Sequence, residues 1–163
     1  ILFIARFLLQ LCRVDFYNPI SQGIVKITDP VLKPMRLALP GYRNIDFASF
    51  LAAVVTQIIF FYAIAAILGQ FPGTAVQVVV NSGIRVLSFI VTGFWWAILI
   101  MIIASFLAPG SQHPALALLQ QLTEPLLAPA RKLIPPMGGL DFSPILGFLL
   151  IGVVERILPQ LYI

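Results

Sequence analysis

Four ionisable residues interrupt long apolar segments of this chain: Arg6, Arg85, Glu155 and Arg156. A charge held at membrane depth costs at least about 2–3 kcal/mol, so each is a functional candidate by default. Arg85 and Arg156 lie towards the ends of their segments and can snorkel to an interface. Arg6 sits about 10 Å inward from the first polar stretch, and Glu155 about 20 Å from the second, at a helical rise per residue. The expectation is an Arg6–Glu155 pair, either a structural tie between the first and last helices or part of an ion or proton path. A second set is basic and recurs along the chain: Lys33 with Arg36, and Arg131 with Lys132. A guanidinium can hold a phosphate, a lipid headgroup or a carboxylate through two parallel hydrogen bonds. The alternative is that each arginine closes its own segment onto Asp29 or Glu124.

Chemistry of other kinds has little to stand on. The sequence has no CxxC, no HExxH and no His/Cys cluster that would suggest a metal. No G-x-S-x-G marks a nucleophile, and no Gly-rich loop would cradle a phosphate. His113 is the lone imidazole and reads as a helix-start residue. Cys12 is the lone cysteine, so no internal disulfide can form. The expectation is a protein that is not an enzyme and uses no cofactor and no metal.

The elements that must position these residues are apolar. Hydrophobic residues make up 60% of the chain and charged residues 10%, against roughly a quarter charged in a soluble domain. No charge occurs from Phe47 to Ile84, nor any Asp, Glu, Lys or Arg from Val86 to Thr123. Each run exceeds the roughly 20 residues that cross a bilayer core. The surface therefore faces lipid. The apolar run Ile1 to Leu11 would span only about 17 Å as a helix, so the sequence is expected to start inside its first transmembrane helix.

A shift of 95 positions aligns the two halves without a gap. Asn18-Pro19 falls on His113-Pro114, and Thr28-Asp29-Pro30 on Thr123-Glu124-Pro125. Leu32, Pro34, Arg36 and Pro40 fall on Leu127, Pro129, Arg131 and Pro135, and Asp46-Phe47 on Asp141-Phe142. The shared pattern is T-[DE]-P-x-L-x-P-x-R-x-x-x-P-x5-D-F. Repeats of this kind define the architecture before any local reading does. The expected fold class is an all-α membrane protein with four transmembrane helices in two tandem, parallel hairpins. The first repeat is 1–69, with its linker at 15–46. A short extracytoplasmic connection at 70–83 leads to the second repeat, 84–163, with its linker at 109–141.

Each linker reads as amphipathic and interfacial. Asn18 can cap a helix opened by Pro19. Pro30 and Pro34, like Pro125 and Pro129, lack the amide that a helix interior needs, so each linker is expected to break into two short helices. Gly41, Gly138 and Gly139 supply the turn, and Asp46 and Asp141 are placed to cap the returning transmembrane helices. Ala48, Ser49, Ala52 and Ala53 form a small-residue stripe for close packing, within the chain or between chains. Both linkers lie on one face by parity and carry most of the Lys and Arg, so the positive-inside rule puts them in the cytoplasm. The predicted location is a bacterial inner membrane.

The segments Thr28 to Phe47 and Thr123 to Pro144 carry a signature that resembles the YggT family, which includes the YlmG proteins and a plastid subunit for haem attachment to cytochrome b6. T-E-P-L-L-A-P-A-R-K-L-I-P-P-M-G-G-L-D-F-S-P is a close match, and D-F-Y-N-P at Asp15 to Pro19 is similar to the first copy of enterobacterial members. The first copy departs from the pattern at Gly41-Tyr42-Arg43-Asn44 and at Ala48-Ser49. A binding role would therefore favour the second. The resemblance implies roles as varied as osmotic tolerance and potassium uptake, cell division and nucleoid organisation, and haem attachment, with no shared mechanism.

The function expected is that of a non-enzymatic scaffold or assembly factor. Its linkers would engage anionic lipid or a membrane or cytoplasmic protein partner through Lys33, Arg36, Arg131 and Lys132. The alternative is a component of potassium or osmolyte transport, built on Arg6 and Glu155 and requiring a homo-oligomer for a pore. Direct nucleic-acid binding is not expected.

Overall fold

A computed structural model describes residues 1–107, 113–133 and 143–162. Among these the chain is all-helical: α1 (Leu2–Leu11), α2 (Pro19–Ala38), α3 (Phe47–Leu68), α4 (Ala75–Leu107), α5 (Pro114–Leu133) and α6 (Ser143–Ile157), closed by a 3-10 turn at Leu158–Leu161. Three stretches are long and apolar enough to cross a membrane: Phe47–Leu68, Ala75–Ala104 and Ser143–Leu161. Helix α1 is apolar but has only ten residues, about 15 Å. Large side chains such as Ile59, Phe60, Ile67, Leu149 and Val153 point outward. Such a coat is stable against lipid tails and not against water.

The linkers differ from their expected form. Each is one continuous 20-residue helix with both prolines inside it. The reason is positional. Pro30 and Pro34 are four residues apart, so they fall on one face, and that face is exposed, as it is at Pro125 and Pro129. The missing amides cost bonds only along that outer stripe. On the inner stripe Thr28 donates its hydroxyl to the Ile24 carbonyl at 2.7 Å, and Thr123 does the same to Leu119 at 2.9 Å.

A second difference concerns the connection between α3 and α4. Helix α4 begins at Ala75, so the connection runs only from Gly69 to Thr74 and not through 83. Gly69 ends α3 in the left-handed region at φ 63°, where the missing Cβ removes the steric cost. Thr74 and Gln77 then form a reciprocal box. The Thr74 amide donates to Gln77 Oε1 at 2.9 Å, and the Gln77 amide to Thr74 Oγ1 at 3.3 Å. T-x-x-Q is a helix-start signature readable in sequence.

The two copies seat their linkers alike. Leu32 is fully buried against Ala48 and Ala52 of α3, with Phe3 beside it. Its counterpart Leu127 is buried with Ile98 and Ile151, and a Cβ on Gly147 would stand 3.0 Å from its Cδ2. Ala52 and Gly147 are repeat partners, and so are Phe3 and Ile98. The small-residue stripe thus admits a leucine from the chain's own linker. Helix α1 is packed among α3, α4 and α5 through Leu8, Leu9, Ala53, Val86, Ala97 and Leu118. Trp95 stacks on Phe148 with centroids 4.8 Å apart, which fixes α4 against α6.

Candidate functional site

Charged groups gather where α1, α2 and α3 meet. Asp46 is the N-cap of α3, and its side chain accepts from the Ser49 amide at 3.3 Å. It also accepts from the Ser49 hydroxyl and from Arg36 Nη2. Asp46 is buried, whereas Arg36 keeps about a third of its side chain in solvent. Burial pushes the Asp46 carboxyl up, but the bonds from Arg36 and Ser49 outweigh it and hold the acid below its usual range. Arg36 therefore closes onto Asp46 and not onto Asp29.

Asp29 has other partners. Lys33 Nζ stands 3.3 Å away, one turn along the same helix, and Arg6 Nη2 stands 3.9 Å away from α1. Arg6 is buried, with its guanidinium 5.2 Å from the centre of the Phe16 ring. Its Nε and Nη1 have no hydrogen-bond partner among the described residues. The predicted Arg6–Glu155 pair is not formed. Helix α2 folds back across α1 and brings Asp29 to Arg6, while Glu155 accepts from Thr92 at 2.9 Å.

In the second copy the contact among the described residues lies within the linker. Arg131 Nη1 reaches both Glu124 oxygens, at 2.8 and 2.9 Å, within α5. That contact is far more open to solvent than the Asp46 site. Gly138, Gly139 and Asp141 lie outside the described residues. Lys132 is exposed at the end of α5. The linkers are also joined to each other: the Asn18 side-chain amide donates to the Pro114 carbonyl, and the Asp15 backbone amide to Gln121 Oε1, both at 2.7 Å.

Several members of this network carry no signal in the sequence. Ser49 has Pro144 as its repeat partner, so periodicity does not reveal it. Thr92 and Gln121 are ordinary polar residues until the fold places them opposite Glu155 and Asp15. Among the described residues no group of His, Cys, Asp and Glu could hold a metal ion.

Apolar helices of this length, with basic linker helices packed beside them, define a multi-pass membrane protein. The profile of one family, CCB3/YggT, matches residues 1–68 and 80–162, and the chain belongs to that family. It is similar to an uncharacterized protein of Pseudomonas aeruginosa, 42% identical over 153 residues, covering 93% of this chain and 78% of the relative. The uncharacterized protein YggT of Escherichia coli K12 is 36% identical over 151 residues, covering 92% and 77%. A shorter likeness, 40% over 43 residues, links it to the uncharacterized protein ycf19 of Guillardia theta, covering 26% of this chain and 47% of that one. No solved structure matches the chain.

Proposed function

We propose that this protein is a non-enzymatic scaffold of the bacterial inner membrane, with two tandem hairpins making four crossings and both linkers in the cytoplasm. In this reading α1 belongs to the first crossing. The linker helices meet an anionic lipid surface and there present a docking face for a protein partner.

The observation that carries the reading is the layout of α2. Ser21, Thr28 and Leu32 face the bundle. At 3.6 residues per turn, Ile20, Ile27 and Val31 form a second apolar stripe beside them, and that stripe is exposed. Lys26 and Lys33 stand across the helix from it, also exposed. A helix with one face on protein, one apolar face free and a basic face opposite suits the headgroup plane. Juxtamembrane Lys and Arg contribute about 1 kcal/mol each on an anionic leaflet. Arg36 and Arg131 are occupied by acids of the chain, so the lysines supply this attraction.

Hydrogen exchange in lipid nanodiscs tests it. Amides of α2 and α5 should exchange more slowly when phosphatidylglycerol replaces phosphatidylcholine. Lys26→Gln, Lys33→Gln and Lys132→Gln together should abolish that difference. Equal exchange in both lipids would defeat the lipid reading. Potassium flux in proteoliposomes above that of empty vesicles would move the assignment to the transport alternative.

A further inference from the structure

The end of the bundle away from the linkers holds a cavity of about 640 Å³, set among α3, α4, the 69–74 connection and the closing stretch at Tyr162. We propose that this cavity binds the phosphate headgroup of an anionic phospholipid from the leaflet opposite the linkers, with Arg85 as its anchor. The site is separate from the linker surface, and its success or failure leaves that reading untouched.

Its volume lies within the usual range of small-molecule sites. Gln57, Gln77, Asn81, Arg85 and Tyr162 line it, drawn from α3, α4 and the closing stretch. Of these, Gln77 already accepts from Thr74. Among the lining residues Arg85 is a cation, and none is Asp or Glu. The cavity therefore favours an anion. Arg85 is exposed and rests on the Phe89 ring at 5.6 Å, an arrangement that leaves the guanidinium edge open to two parallel bonds.

Position points to a lipid. The cavity opens beside the 69–74 connection, between the ends of the apolar helices α3 and α4, and Arg85 has a side chain long enough to raise its guanidinium from within α4 towards the headgroups there. Phe60, Ile64 and Phe71 line the cavity and are also exposed on the outer surface. An occupant can therefore keep its acyl chains in the bilayer while its phosphate enters.

Native mass spectrometry of the full chain tests the site, with phosphatidylglycerol, phosphatidylcholine and inorganic phosphate as probes. Circular dichroism checks that each variant is folded. One phosphatidylglycerol per chain should be retained in preference to phosphatidylcholine. Arg85→Gln should weaken retention by about tenfold, and Arg85→Lys, which keeps the charge but loses the fork, by less. Ile64→Trp, which fills the cavity and alters no charge, should weaken it as Arg85→Gln does. Equal retention by wild type and Arg85→Gln would overturn the proposal. So would full retention by Ile64→Trp, which would make Arg85 a mere surface charge. Displacement of the lipid by millimolar inorganic phosphate would assign the site to a free anion instead and overturn the lipid assignment.

Discussion

Among the described residues the two copies of the repeat agree in their apolar contacts and differ in their charge pairs. Leu32 and Leu127 occupy the same seat, each over a small residue of the returning helix. Thr28 and Thr123 make the same back-bond. Yet Asp29 meets Arg6 and Lys33, whereas its counterpart Glu124 is gripped by Arg131 near solvent. Arg6, which meets Asp29 in the first copy, is replaced by Met101, whose sulfur lies 3.5 Å from the Thr123 hydroxyl. Shape is shared because a leucine in a groove has few alternatives. Charge pairing diverges because long side chains find partners wherever the fold brings an acid near.

The largest effect should come from what is shared. Leu32→Ala and Leu127→Ala should each cost about 3 kcal/mol, measured as unfolding in mixed micelles. A large difference between them would break the equivalence of the two seats. The polar contrast comes next. Asp46→Asn removes the partner of Arg36 from a buried site and should cost about 2 kcal/mol. Glu124→Gln, at the more open pair, should cost under about 1 kcal/mol. Similar costs would show that burial does not separate the two closures.

The Asp46 contrast has a pH signature. Its folded-state pKa is depressed, so its contribution is fully present above the unfolded carboxyl value of about 3.9 and is lost as pH falls through the folded value. Between pH 7 and 5 this group should leave stability flat. Below about pH 4 the wild type should lose stability more steeply than Asp46→Asn. Parallel titration curves would contradict this.

Smaller still are the effects at the seats' floors and at Arg6. Gly147→Ala presses on Leu127 and Ala52→Gly loosens the seat of Leu32, each costing about 1 kcal/mol for opposite reasons. Arg6→Met gives the first copy the residue of the second. Asp29 keeps Lys33, and a buried guanidinium with two unpaired nitrogens is removed. The change in stability should be within about 1 kcal/mol of zero, whereas Asp29→Asn, which strands Arg6, should cost about 2 kcal/mol by the same assay.

The all-helical class and the helix positions were readable because they rest on periodicity. Proline positions, the Thr28 and Thr123 register and long uncharged runs each specify an element with little dependence on the rest. The readings that missed depended on direction in space. Pro30 and Pro34 read as breaks until their shared outward face is known. The start of α4 was available in T-x-x-Q at Thr74 but falls in an apolar run whose composition gives no boundary. Depth along a helix matches Arg6 to Glu155. The partner of Arg6, Asp29, sits on a helix that folds back over α1, which no count along the chain reveals.

The central claim, that the linkers lie on an anionic membrane surface, is tested most directly by the depth of Ile27, which is 61% exposed on the free apolar stripe of α2. A spin label at Ile27→Cys in a Cys12→Ser background reports oxygen against aqueous nickel accessibility in nanodiscs. The account predicts a label at the headgroup boundary with phosphatidylglycerol, moving outward when Lys26 and Lys33 are changed to Gln. A label equally open to aqueous nickel in every lipid would contradict it.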